Sequence, residues 1–404
     1  MRAFPIVLVL LCLITTASAQ TTFHQSLSNA FEKATSADKL QINIGGSPDN
    51  QGQIIISGEG GVGFFDTGPD GIFPNSEFRV DEAKLFVEAS LWDDIYFYSE
   101  LNLLTRESDD EDFHLGELYV DFENVSKLWG KPEMLNIRGG RMDVPFGEEY
   151  LTRDSIDNPL ISHSISDIWG VDEGVEVYGK INMLHYVFAV QNGGQPLFSD
   201  FNSDKALIGK VSVDPRKSLH LSFSAMRTGA LNPQGDKFSE AWFGNGFLLL
   251  LGNPATSTEF HGNYFEGDAR YNWNDNHISG AGGKLHYNDD DTTSDNHRDV
   301  TYYYLEAQYV LKHISENKWY VAARYSRTHC DQGFPIVGLG DFSRYLFDPD
   351  SLTKSLWRLS IGSGYSFGKN VLIKAEYSVE RREPFSYDDY HDEHFIGVEV
   401  ALKF

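Results

Sequence analysis

The chain has 404 residues, with 33 Lys+Arg against 59 Asp+Glu for a net charge of −26. That balance excludes a simple nucleic-acid binder, which needs a basic footprint. A mean hydropathy of −0.35 is too polar for a bundle of membrane helices, yet it suits a barrel of strands in which only one face meets lipid.

Arg2, the apolar run over residues 4–14 and Ala17-Ser18-Ala19 before Gln20 predict a secretory signal peptide over residues 1–19. The run is too short for a membrane anchor. Leu11 precedes Cys12 where a lipoprotein signal would want a small residue. Beyond the leader only Cys330 remains, so no intramolecular disulfide framework is available. Residues 20–52 are polar, with one weakly helical piece over 26–37, and read as a periplasmic lead-in. The alternative is a plug in the mouth of a barrel.

From residue 53 onward the dominant signal is period-two alternation, the strand period. Ala83, Leu85, Val87, Ala89 and Leu91 oppose Glu82, Lys84, Phe86, Glu88 and Ser90. Phe97, Leu101 and Leu103 oppose Tyr96, Tyr98, Glu100 and Asn102, and Leu118, Val120 and Phe122 oppose Glu117, Tyr119 and Asp121. A soluble sandwich alternates in the same way. Connection lengths discriminate. About sixteen strands are predicted, starting near Gln53, Glu77, Ile95, Asp112, Met134, Asp172, Met183, Lys205, Lys217, Phe260, Asn276, Val300, Asn317, Ser355, Asn370 and His394, an even number as bacterial barrels have. Every second connection is mostly tight, as at Trp92-Asp93-Asp94 and Asp214-Pro215-Arg216. The others are mostly long and several are acidic: 106–111, 143–171, 227–259, 288–299, 328–354 and 382–393. Such parity puts the long loops at one end. It predicts an all-β fold, a transmembrane antiparallel β-barrel over residues 53–404 with short periplasmic turns and long extracellular loops. The last strand ends on Phe404 and must pair with the first, because an open edge in lipid is not tolerated.

The third loop, 143–171, is rich in turn formers and carboxylates and is predicted to fold into the lumen. The narrowing would be formed by Glu148, Glu149, Arg153, Asp154 and Asp157. The lumen wall would carry Glu82, Lys84, Glu88, Glu100, Glu117, Asp121, Arg138, Arg141, Lys180 and Lys374. Arg138 and Arg141 differ in strand parity, so both face inward only if Gly139-Gly140 forms a bulge. The competing account of the wall carboxylates is a salt-bridge network with Lys84 and Arg138 that stiffens the barrel.

Three segments together resemble the phosphate-selective porin O and P family. They are Phe78-Arg79 with Ala83-Lys84-Leu85 and Val87-Glu88; Gly140 with Pro145-Phe146-Gly147 and Glu149-Tyr150-Leu151-Thr152; and Gly170, Asp172, Gly174-Val175 and Tyr178-Gly179. The resemblance implies a sixteen-stranded barrel, usually a homotrimer, that conducts small solutes. Its phosphate selectivity rests on lumen lysines and arginines, and here this chain departs. Asp143 stands where the family commonly has a lysine before the Pro-Phe-Gly turn, and Val171 where an arginine often follows the glycine. Between 143 and 172 the carboxylates Asp143, Glu148, Glu149, Asp154, Asp157, Asp167 and Asp172 meet one cation, Arg153. A low-dielectric wall focuses such a field, which predicts weak cation preference. The opposing reading is anion or phosphate selectivity along a stripe of Lys84, Arg138, Arg141, Lys180 and Lys374.

Asp109-Asp110-Glu111-Asp112 and Asp289-Asp290-Asp291 are hard oxygen donors of the kind that hold Ca2+ or bridge to lipopolysaccharide phosphates. Solvated loop tips are the plainer account, since neither has the glycine and terminal Glu of an EF-hand. His391-Asp392-Glu393-His394 is not a helical zinc motif and is taken as polar loop, so no metal and no cofactor is expected. Gly58, Gly60, Gly61 and Gly63 suit curvature in a wall rather than a phosphate loop. No Ser, His and Asp can be placed together from the sequence, and no enzyme is expected. The sequence therefore predicts an exported outer-membrane porin for passive diffusion of small hydrophilic solutes and ions, contacting lipid and lipopolysaccharide. A barrel plugged for a structural or adhesive role, or an outer-membrane hydrolase, are the rivals.

Overall fold

The alternating segments become strands in the computed structural model, which describes residues 40–43, 53–67, 73, 75–104, 114–168, 170–193, 203–230, 259–290, 297–314, 317–334, 353–384 and 391–404. In chain order they are β1 (Leu40–Asn43), β2 (Gln53–Asp66), β3 (Glu77–Trp92), β4 (Ile95–Leu104), β5 (His114–Phe122), β6 (Asn136–Asp143), β7 (Val171–Ile181), β8 (Leu184–Gln191), β9 (Ala206–Arg216), β10 (Leu219–Arg227), β11 (Phe260–Trp273), β12 (Asn276–Asp289), β13 (Arg298–Ile314), β14 (Asn317–Phe334), β15 (Thr353–Phe367), β16 (Val371–Pro384) and β17 (His391–Lys403). Each strand from β2 to β17 pairs antiparallel with its neighbours in sequence, and β17 pairs back onto β2, from Ile396↔Asp66 to Lys403↔Glu59. These sixteen strands close a barrel with no free edge. Among the described residues no helix is long and apolar enough to cross a membrane.

Outward parity carries the apolar set, with Phe223, Phe265, Leu305, Tyr309, Trp319, Val321 and Ile361 all exposed. On β14 the outward run from Trp319 to Arg327 is about nine residues, what a tilted strand needs to cross a bilayer. Aromatic pairs mark its limits. Tyr271 and Trp273 stack at 5.9 Å beside one tight turn. Tyr303, Tyr325 and Trp357 follow each other across three strands at 6.0 and 6.2 Å toward the opposite rim. Amphipathic rings favour that boundary between hydrocarbon and headgroups.

Part of the expected lead-in belongs to the wall. β1 pairs with the start of β2, from Leu40↔Ile56 to Asn43↔Gln53. It continues the edge of β2 beyond the end of β17, where Phe404 and Gly58 exchange backbone hydrogen bonds. The predicted signal peptide, the acidic tip Asp109-Asp110-Glu111-Asp112 and the side chains of His391 and Asp392 lie outside the described residues.

One expected irregularity is absent. The β5–β6 register runs from Phe122↔Ile137 to Leu118↔Arg141 without a shift. Arg138 therefore lies opposite Asp121, while Arg141 takes the parity of Leu118 and approaches Glu173 at 4.0 Å. The prediction that Arg141 shares the lumen face of Arg138 is corrected, because the bulge it required does not form. Gly140 has φ +143°, and a Cβ there would sit 2.3 Å from the Leu118 carbonyl, so glycine serves close strand approach rather than a bulge.

Candidate pore constriction

The segment between β6 and β7 enters the barrel. Its neck is closed by the Val144 N–H donating to the Gly170 carbonyl at 2.7 Å. Phe146 then packs edge-on against Tyr264 at 6.0 Å. Val144, Phe146, Ile165 and Ile168 join Ile208, Met226, Leu285, Tyr287 and Val300 in one buried apolar cluster. That contact buries the root of the loop against β8 to β13 and takes its apolar surface out of water. A single helical turn, α1 (Glu149–Thr152), follows.

Buried charges on the far wall hold the middle of the loop. Glu306 on β13 pairs with Arg153 of the loop and with Arg324 of β14, each at 2.6 Å. Arg153 also donates to Ser279 at 2.9 Å. Arg324 donates to the Ser162 carbonyl at 2.5 Å and to Asn158 Oδ1 at 2.9 Å. On β16, Glu376 accepts from the Ile161 and Ser162 N–H groups at 2.6 and 2.8 Å and from the Ser162 hydroxyl at 2.6 Å. Lys374 Nζ donates to the Ser155 and Leu160 carbonyls at 2.6 and 2.8 Å. Leu160 and Ile161 are fully buried. The loop leaves β6 and is gripped by β12 to β16, near the opposite side of a sixteen-strand cylinder. It therefore crosses the bore. A loop carbonyl satisfied by a wall cation has no need of water, which is how irregular backbone survives at membrane depth.

The predicted narrowing residues divide into two groups. Glu149 and Arg153 are buried, at 4 % and 9 % exposure, inside the anchored face. Glu149 accepts from the Ser164 N–H and hydroxyl at 2.9 and 2.6 Å. Glu148 is half-buried, and Asp154 and Asp157 are exposed. Glu148 faces Lys210 at 3.4 Å and His220 at 3.6 Å. Asp157 pairs with Lys403 at 2.9 Å. The Ser155 hydroxyl donates to Glu82, tying the loop back toward β3. Partial desolvation inside the barrel raises the pKa of Asp154, opposed by the Lys84 ammonium. Burial pushes Asp167 up to about 7, against the pull of Arg153 and Arg324 and a hydrogen bond from the Tyr150 N–H.

The predicted wall residues also divide. Lys84 lies 3.4 Å from Glu59 and 3.9 Å from Glu82, on the face shared with Glu88 and Glu100. Glu117 accepts from the Asp143 N–H at 2.8 Å. Arg138 pairs with Asp121 at 3.0 Å and Glu176 at 3.5 Å and covers the Tyr119 ring at 4.3 Å. Phe86, Tyr98 and Tyr119 stack in sequence along the same face at 6.3 and 5.0 Å. Lys180 shares the parity of Glu176 and Tyr178 and is exposed near a tight turn. Lys374 faces inward but is sealed beneath the loop, at 1 % exposure. Sequence reasoning missed Glu306, Arg324, Lys210 and His220. The available signal was a charged residue at inward parity between apolar outward neighbours, as Glu306 stands between Leu305 and Ala307.

No protein-family model and no curated protein matches the sequence. Solved structures match the fold. The outer membrane channel DcaP of Acinetobacter baumannii aligns with a TM-score of 0.56 at 12% identity, covering 87% of this chain and 97% of that one. OmpF of Salmonella typhi, in complex with daunomycin, gives 0.55 at 12% identity over 90% and 100%. An anion-selective porin from Comamonas acidovorans gives 0.53 at 11% identity over 87% and 99%. The chain thus has the fold of the outer-membrane porins.

Proposed function

We infer that this chain is an outer-membrane porin whose third loop narrows a water-filled path for passive diffusion of small hydrophilic solutes and ions. The observation that carries the reading is the loop pinned across the bore by Glu306, Arg324, Glu376 and Lys374. One half of the lumen is packed by that loop. The remaining path runs between its exposed face, with Glu148, Asp154 and Asp157, and the wall of β2 to β7. Along that wall Glu59, Glu82, Glu88, Glu100, Glu117, Asp121 and Glu176 outnumber Lys84, Arg138 and Lys180. Fixed carboxylates in a low-dielectric cylinder favour cations, so the selectivity is weakly cationic rather than for phosphate. The reading is a channel, not an enzyme, in a homotrimer within lipid and lipopolysaccharide. Purified protein in a planar bilayer tests it: under a KCl gradient the reversal potential has the sign of cation preference. Anion preference rejects the charge argument, and absence of conductance rejects the channel.

A plugged barrel is the second reading, and the depth of packing around Phe146 and Leu160 favours it. Swelling of sugar-loaded vesicles separates the two, since only an open path admits sugars.

A further inference from the structure

Two histidines and one aspartate converge at the outer rim, away from the constriction. His286 on β12 lies directly opposite Asp299 on β13. Its Nδ1 is 2.9 Å from Asp299 Oδ1. His297 precedes β13, and its Nε2 is 3.8 Å from Asp299 Oδ2. The two imidazole rings are 4.4 Å apart and inclined at 62°. One nitrogen from each histidine and one Asp299 oxygen all lie within 4.8 Å of one another. Leu285 and Tyr287 on either side are buried toward the lumen, so His286 points outward. Outward Tyr303 and Leu305 begin the apolar belt farther along β13. The cluster therefore sits beyond the belt, on the rim with the long loops, and all three side chains are about two-fifths exposed, at 38, 38 and 42%.

We propose that His286, His297 and Asp299 bind a borderline divalent transition-metal ion of the Zn2+ class. Bonds of about 2.0–2.1 Å in a tetrahedral site put donor atoms roughly 3.3 Å apart. The three donor atoms already lie within 4.8 Å of one another, so small side-chain rotations bring them to that spacing. Two imidazoles and one carboxylate select zinc, nickel or copper over calcium, which wants oxygen donors. The open side leaves water as the fourth ligand. One cation competes: Lys284 Nζ stands 2.9 Å from Asp299 Oδ2. Its exposed, flexible stem can release the carboxylate to a doubly charged ion. The inference is independent of what the lumen conducts.

Calorimetric titration of the metal-stripped, full mature barrel in detergent with Zn2+ tests this, with Co2+ absorption as a second readout. The expected result is one saturable site with a tetrahedral Co2+ spectrum. H286A or H297A weakens it by more than about tenfold, and the double substitution abolishes it. K284A tightens binding, which a merely structural histidine pair would not show, and H394A leaves it unchanged. Circular dichroism confirms that each variant holds its barrel. A wild type without a saturable site, or a site that survives H286A/H297A, overturns the proposal.

Discussion

Glu306 is fully buried and receives two guanidinium groups from different elements, Arg153 of the loop and Arg324 of β14. Glu306→Ala strands Arg153 and Arg324 as buried, uncompensated charges. Breaking a buried pair in this way costs roughly 3–5 kcal/mol. The barrel wall has its own continuous hydrogen-bond ladder, so the loss falls on the loop. Limited proteolysis should cleave residues 144–170 faster in the variant while β-sheet content by circular dichroism is kept. Equal protection would show that the ion pairs are ornamental. Asp167 makes a pH prediction. Its folded pKa of about 7 lies above the ordinary 3.8, so the fold prefers the protonated form. This group therefore costs nothing below about pH 4. Stability then falls as pH rises through the interval to about 7, at ~1.4 kcal/mol per unit. The groups facing it are Arg153, Arg324, the Tyr150 N–H and His163, whose Nδ1 lies 2.6 Å away. Loop protection against hydrogen exchange should decline from acid to neutral pH in wild type and stay level in D167N. An unchanged slope in D167N would assign the effect elsewhere.

At the scale of elements, the strands were legible and the grip on the loop was not. Alternation is local, so Glu82–Leu91 or Leu118–Phe122 declare their two faces within a few residues. The inward fold of the loop was legible from its length and its turn formers. Its anchors were hidden because Arg153 and Glu306 are 153 residues apart, and Ser162 and Glu376 are 214 apart. Nothing local distinguishes Glu149, which is buried, from Glu148, which is not. Arg141 shows the same limit: only the register reveals that the Gly139-Gly140 pair forms no bulge. Covalent proximity tests the anchored geometry. The Ser162 and Ser360 hydroxyl oxygens are 3.5 Å apart across the loop–wall contact. A S162C/S360C pair should oxidise to a disulfide with little change in ion flow, because the loop already rests there. Failure to cross-link in an intact barrel would place the loop elsewhere.

For the whole molecule, the strand closure of β17 on β2 makes the cylinder, and in the proposed function the loop divides it into a packed half and an acidic passage. Charge across that passage predicts how the channel responds to neutralisation. The double substitution E100Q/E117Q should lower the cation-to-anion permeability ratio by about twofold, since it removes two fixed charges from a focused field. Reversal potentials under a KCl gradient report it directly, and a ratio that does not move would put the selective charges elsewhere. The most direct test of the division itself is single-channel conductance of the wild type and of a chain lacking residues 148–166, compared in the same bilayer and salt. The wild type should conduct, and the shortened chain should conduct several times more with weaker ion preference. Equal conductance in the two, or none in the wild type, would contradict a loop that narrows an open bore.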